Sequence, residues 1–401
     1  MSRVRQSSSP VRFWLKWLAA GAFVFLLIAG FIFFFVLPPL VAGWLNPTVH
    51  KPPYAVSTAA TDLHKNLFVA DLHCDALLWN RNLLEKSETG HVDLPRLREG
   101  NVALQVFSVV TQSPRGLNIE NNSNDSDTIF WLTLAQRQPL VTLNSLTARA
   151  VNQAQHLTNA AQNSNGKFVV IKTKRDLADF IWRRQSEKDL VGGVLAIEGA
   201  HALDGRPENV DALFDAGFRI MSPSHFFDSE MGGSAHGTEK YGLTEKGREM
   251  LRRMESRNMI LDLAHASAQT IDDALKLATK PIIVSHTGVR GTCDNNRNLT
   301  DDQLRRIAQT GGIVGIGFWD TAVCGTDAAS IARAIRYAAN VIGTSHVALG
   351  SDFDGSIDAA FDASGMALVT EALLQEKFTS DEIKQIMGDN VLHLLSENLP
   401  E

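Results

Sequence analysis

Short apolar runs recur along the chain, separated by longer stretches in which apolar positions return every three to four residues. The short runs are Phe68–Ala70, Ala103–Val110, Phe168–Ile171, Gly193–Ile197, Arg219–Ser222, Met259–Leu263, Pro281–Val284, Ile313–Phe318 and His346–Gly350. Each ends at polar or turn-forming residues, as a buried strand does. Helix-like stretches lie between them, among them Thr244–Glu255, Ala268–Ala278, Asp301–Gln309 and Ala328–Ile342. Strands alternating with helices imply a parallel sheet, and eight or so βα units over about 340 residues predict a (β/α)8 TIM-like barrel rather than an open sheet. No Pro/Gly/Ser-rich break divides this region, and no solenoid repeat is present. The polar stretch 112–128 reads as one long loop.

The N-terminus follows a different pattern. From Trp17 to Leu45 there is no charged residue, and Phe23–Leu37 is almost wholly apolar. A bilayer core needs about 20 such residues as a helix. Pro38-Pro39 is expected to mark the outer end of the run, and Trp14, Trp17 and Trp44 stand where interfacial aromatics belong. Arg3, Arg5, Arg12 and Lys16 all precede it, which predicts a cytoplasmic N-terminus and an exported remainder. The competing reading is a cleaved signal peptide, whose apolar region is usually about 7–15 residues with a small-residue cleavage site; this run is longer and no clear Ala-x-Ala follows. The expected organisation is a basic tail (1–16), a transmembrane anchor (17–41), a linker (42–62) and the barrel (63–401).

Composition narrows the class. With 401 residues, 44% hydrophobic and 20% charged, the chain can bury a full-size core. Its three cysteines, Cys74, Cys293 and Cys324, are too few and too scattered for a disulfide-built scaffold or a multi-Cys zinc finger. The net charge of −6 speaks against a nucleic-acid partner.

The candidate chemistry lies where the apolar runs stop. They lead into Asp71-Leu72-His73-Cys74-Asp75, Glu198-Gly199, Ser224-His225, Asp262-Leu263-Ala264-His265, Ser285-His286 and Ser351-Asp352-Phe353-Asp354. In a (β/α)8 barrel those strand ends face the catalytic mouth. His73 and Asp75, two apart, share one side of an extended strand. Singly, a His-x-Asp pair is commonly a surface pair, and Glu198, His265 or His286 would each pass for a cap or a satisfied buried group. Jointly, His73, Asp75, Glu198, His265 and His286 are imidazole and carboxylate donors suited to Zn2+. Five donors on four strand ends allow two metals sharing one carboxylate. Two divalent cations would balance Asp75, Glu198, Asp352 and one hydroxide, whereas the acids alone would crowd a dry pocket at high cost.

These segments resemble the membrane (renal) dipeptidases, peptidase family M19, within the metal-dependent hydrolase barrels. The resemblance rests on DLHCDAL (71–77), AIEGAH (196–201), SPSHF (222–226), LDLAHAS (261–267), PIIVSHTG (281–288), RNLTDDQL (297–304) and VALGSDFDG (347–355), in the family's order. It implies that His73 and Asp75 hold one zinc, His265 and His286 a second, and that Glu198 bridges them. His225 would bind the substrate carbonyl or its oxyanion, Arg297 the terminal carboxylate, and Asp352 would transfer the proton. A water between the cations would supply hydroxide near neutral pH. The implied substrates are dipeptides, the lipid bilayer would be met through the N-terminal helix, and a second copy of the chain is a candidate partner. The animal members are tethered by a C-terminal lipid; here the N-terminal segment is expected to do so.

Two other functions compete. One is a binuclear amidohydrolase acting on lactams or N-acyl amino acids; the other is a membrane-tethered binding protein with a dead barrel. Of the remaining polar residues, His50, His64, His91, His156 and His393 are expected in solvent, and His346 at the far end of the barrel. His201 and His236 are within reach of the pocket, Asp71 and Asp262 are placed to orient imidazoles, and Asp354 is expected to be structural.

Overall fold

The computed structural model describes residues 10–401; the basic residues Arg3 and Arg5 lie outside them. Nine parallel strands form: β1 (Val69–Cys74), β2 (Val102–Val110), β3 (Phe168–Val170), β4 (Val191–Glu198), β5 (Phe218–Met221), β6 (Ile260–Leu261), β7 (Val284–Thr287), β8 (Val314–Ile316) and β9 (Val347–Leu349). Their hydrogen-bonded order is β6-β5-β4-β2-β1-β9-β8-β7. A parallel bridge between Asp262 and Ile283 joins β6 to β7 and closes the ring. Eight strands therefore make the barrel. β3 stands outside it, pairing with Val191–Gly193 at the start of β4, while β5 takes Leu195–Ile197 further along.

The helices begin where local chemistry starts them. Glu245–Ser256, Asp301–Gln309 and Ala328–Ile342 are capped by Thr244, Thr300 and Asp327, whose side chains accept the N–H groups of Gly247, Gln303 and Ser330. Leu72, Leu104 and Val106 of the strands belong to one packed cluster with Phe180 and Leu395 of the helices Lys174–Arg184 and Asn390–Asn398. Among the described residues, one helix is long and apolar enough to cross a membrane, the 33-residue stretch Phe13–Leu45, whose most apolar part is not buried by the rest of the chain.

Pro38 and Pro39 do not end that helix. A π-helical turn, Ile32–Val36, precedes them, and the prolines occupy the first turn of the continuation Leu37–Leu45. There a missing N–H costs least, because first-turn donors have no intrahelical partner.

The stretch expected as a linker is packed. Asn46 accepts the N–H of Ser356 (2.9 Å), Val49 and His50 donate to the carbonyls of Ala359 and Ala360, and a short helix, Thr58–His64, forms on the barrel. His64 and His91 are buried, not solvated: His64 bridges Thr370 and Gly100, and His91 bridges Pro47 and the Asp354 N–H. Cys293 and Cys324 form a disulfide that the scattered spacing did not signal, leaving Cys74 free and buried.

Candidate metal centre

The strand ends bring seven of the eight expected site residues into one group. His73 lies near the end of β1 and Asp75 follows it, Glu198 ends β4, His225 follows β5, His265 follows β6, His286 lies in β7 and Asp352 follows β9. All are buried except Asp352, whose side chain is 13% exposed.

Glu198 is the centre. Its Oε1 lies 3.0 Å from His265 Nε2 and 3.3 Å from His286 Nε2. Its Oε2 lies 3.4 Å from His73 Nε2 and 3.7 Å from His225 Nε2. The carboxylate thus turns one oxygen to each of two imidazole pairs. Asp75 and Asp352 approach His73 Nε2 at 3.7 and 3.9 Å.

Both Glu198 oxygens, His73 Nε2 and Asp75 Oδ1 are buried without a hydrogen-bond partner. Such atoms normally have one. The Nε2 atoms of His265 and His286 converge to 3.0 Å. Three overlapping sets place their donor atoms within 4.8 Å of one another: His73, Glu198 and His286; Glu198, His225 and His265; and His73, Asp75 and Asp352. This donor set fits divalent cations, which would satisfy the orphaned atoms and offset the acids.

The electrostatics of the protein groups alone point the same way. Burial raises the pKa of Glu198 and pushes Asp352 well above the carboxylate range. It depresses His225, His265 and His286 well below ordinary histidine, so these imidazoles are neutral and able to ligate. Burial also opposes charge on His73, but Glu198 and Asp75 outweigh it and raise that pKa.

The backbone is bent to build the site. His265 and Asp352 take left-handed φ values of 63° and 61°, a region non-glycine residues seldom occupy. Gly199 has φ +92°, and a Cβ there would stand 2.2 Å from His201 and 3.0 Å from the Cβ of His225.

Arg297, the eighth residue, lies beside the group. It is 6% exposed, donates from Nη2 to the carbonyl of His286 (2.7 Å), and stands 5.7 Å above the Trp319 ring. Burial lowers its pKa to about 10 against the pull of Asp352 and Glu198. Among the described residues, no carboxylate lies within ion-pair distance of it.

Asp71 and Asp262 touch no imidazole. Asp71 accepts from Ser351 and Gln105, tying β1 to β2 and to the end of β9; Asp262 accepts from the Ala264 and Ser285 N–H groups. Ser285 meets the rings instead, with Oγ 3.0 Å from His286 Nδ1 and 3.3 Å from His73 Nδ1. The signal for it was its place in the same strand end, immediately before His286. His236 joins the pocket wall, 5.1 Å from the His265 ring, with Nδ1 bonded to the Ile119 carbonyl. His201 is buried against Phe227 and belongs to none of the metal-capable sets. Asp354 is fully buried and structural in its contacts: it accepts from the His91 and Val92 N–H groups and pairs with Arg81.

The family model described as membrane dipeptidase (peptidase family M19) matches residues 57–399. The dipeptidase tcpJ of Claviceps purpurea is 28% identical over 374 residues, covering 90% of this chain and 82% of that protein. A metallo peptidase from Rhodobacter sphaeroides, solved with a phosphinate mimic of the dipeptide L-Ala-D-Ala, superposes with a TM-score of 0.66 at 24% identity, covering 83% of this chain and 99% of its own. The probable dipeptidase PvdM of Pseudomonas aeruginosa gives a TM-score of 0.70 at 17% identity, covering 85% and 98%.

Proposed function

Because the chain belongs to the membrane dipeptidases of peptidase family M19, we propose that it hydrolyses the peptide bond of free dipeptides at a centre of two zinc ions bridged by Glu198. The observation that carries this reading is the carboxylate of Glu198, buried and unpartnered, with its two oxygens aimed at different imidazole pairs. His73 and Asp75 would hold one ion, and His265 and His286 the other. Bound there, two divalent cations would acidify water and polarise the scissile carbonyl.

The chain's own groups supply the rest. Arg297 would grip the substrate's terminal carboxylate and so measure its length. His225, kept neutral by burial, would donate one ring N–H to the developing oxyanion. Asp352 would take a proton on its carboxylate and deliver it to the leaving amine.

The experiment is elemental analysis of the purified protein beside a dipeptidase assay. A ratio near two, lost with activity on chelation and restored with it, is expected. His225→Asn should keep both metals while losing turnover. Full activity in metal-stripped protein would overturn the proposal.

The helix Phe13–Leu45 supports a single-pass anchor with the N-terminus in the cytoplasm and the barrel outside it, since Lys16 and the earlier bases precede the apolar run.

A further inference from the structure

Among the described residues, eight large apolar side chains beyond the N-terminal helix are exposed by at least a third, and three sit together in sequence. Trp131 is 57% exposed, Leu140 78% and Val141 62%. They belong to the helix Thr128–Ala135 and the turn Leu140–Leu143, on the connection after β2. That connection leaves the C-terminal end of a barrel strand, the end that carries the metal-capable group.

The same segment touches the apolar helix. The guanidinium of Arg137 lies 4.3 Å over the ring of Phe35. Arg137 is exposed, and among the described residues no carboxylate pairs with it. A cleft of about 240 Å3 opens beside it, lined by Phe35, Pro38, Trp79, Arg81 and Arg137.

Depth follows from length. A span of about 20 residues begun at Trp17 ends near Val36. Phe35 therefore lies at the outer edge of the hydrocarbon, and Arg137 beside it lies among the headgroups. An arginine at that level extends its guanidinium to phosphate while its stem and its neighbours stay in the apolar layer. Tryptophan is the residue most at home there.

We propose that residues 131–141 form a second contact with the bilayer, with Trp131, Leu140 and Val141 entering the interface and Arg137 meeting headgroup phosphates. This rests on the reading of Phe13–Leu45 as a membrane anchor. The occupant is lipid, because the neighbouring helix fixes the patch at headgroup depth. The barrel would then lie with its catalytic end beside the membrane.

The test uses the full chain in phospholipid vesicles. Cys74 is buried and the other two cysteines are bonded, so single introduced cysteines can be labelled cleanly. An environment-sensitive probe is placed at Leu140→Cys, at Phe25→Cys in the anchor, and at Trp182→Cys, a site 72% exposed on the helix Lys174–Arg184. Spin-labelled lipid is the quencher. The proposal expects strong quenching and a blue-shifted emission at 25 and at 140, and neither at 182. Quenching at 25 with position 140 behaving like 182 overturns the second contact and leaves the anchor standing. No quenching at 25 overturns both.

Discussion

Asp352 and Asp354 flank Phe353, and the two carboxylates have opposite surroundings. Replacing each by Asn separates chemistry from structure. Both residues have left-handed φ, 61° and 65°, which Asn tolerates better than other side chains, so neither exchange strains the backbone. In Asp354→Asn one amide oxygen can still accept an N–H from His91 or Val92, but the partner of Arg81 is neutralised inside the protein. Breaking a buried ion pair from one side costs about 3–5 kcal/mol. At about 2–3 °C per kcal/mol for a large domain, Tm should fall by about 6–15 °C. Turnover per folded molecule should hold, because Asp354 faces the loop of His91 and not the imidazole group. In Asp352→Asn no structural hydrogen bond to the side chain is lost; its nearest imidazole is His73, 3.9 Å away. Tm and metal content should stay near wild type while kcat falls by about 10²–10⁴-fold, the usual contribution of a general acid–base group. The assay is kcat, metal ratio and Tm for both variants side by side. Near-normal kcat in Asp352→Asn, with collapse in Asp354→Asn at temperatures where it is folded, would refute the assignment of the proton-transferring carboxylate.

Arg297→Met should lower kcat/KM for free dipeptides by about one to two decades, since a charge-assisted bond contributes about 1.5–3 kcal/mol. Amidated dipeptides should lose little more, and equal losses for both would mean Arg297 acts through the fold. Stability should fall on acidification below about pH 6.5: burial depresses the pKa of His64 and of His91, the native protein keeps them neutral, and the unfolded chain takes the protons. The sign follows directly, with the contribution present above the unfolded value and lost as pH drops towards the folded one. His64→Gln, which cannot titrate, should show a shallower loss of Tm between about pH 7.5 and 5.5; an unchanged slope would remove His64 from the account.

Each of the nine strands overlaps an apolar run, β1 and β7 only at its edge (Val69–Ala70 and Val284), and the helix Asp301–Gln309 begins and ends where its pattern does. Caps explain the latter, because Thr300 and Gln303 are neighbours in sequence and the signal is local. The candidate centre was visible for a related reason: a buried strand shows its end as the point where apolar residues give way to His, Asp or Glu. What depended on partners far along the chain was not legible. His64 looks like any helix-surface histidine until Gly100 and Thr370 close around it. Asp262 sits three residues before His265 yet spends its carboxylate on the backbone of Ser285. The polar loop read as 112–128 gave no hint that Ile119 and Asn122 would reach His236. β3 fits the pattern of a barrel strand, but β2 and β5 already occupy the edges of β4 beyond Gly193.

The hydrogen bonds that join Asn46, Val49 and His50 to the loop 356–360 leave almost no slack between the apolar helix and the barrel. A catalyst on a loose tether samples a hemisphere of solution; if Phe13–Leu45 anchors the chain as proposed, this one would be held at a single height. Were the leaflet facing the barrel as anionic as a cytoplasmic one, at about −30 mV, a monovalent cation would be concentrated about threefold and a monovalent anion depleted by the same factor, over a layer of about 8 Å. Zwitterionic dipeptides would pass that layer unaffected, acidic ones would be thinned out and basic ones enriched before any reached Arg297. Preference by net charge would then depend on the lipid as well as on the pocket, and it would weaken with added salt while discrimination by side-chain shape stayed unchanged.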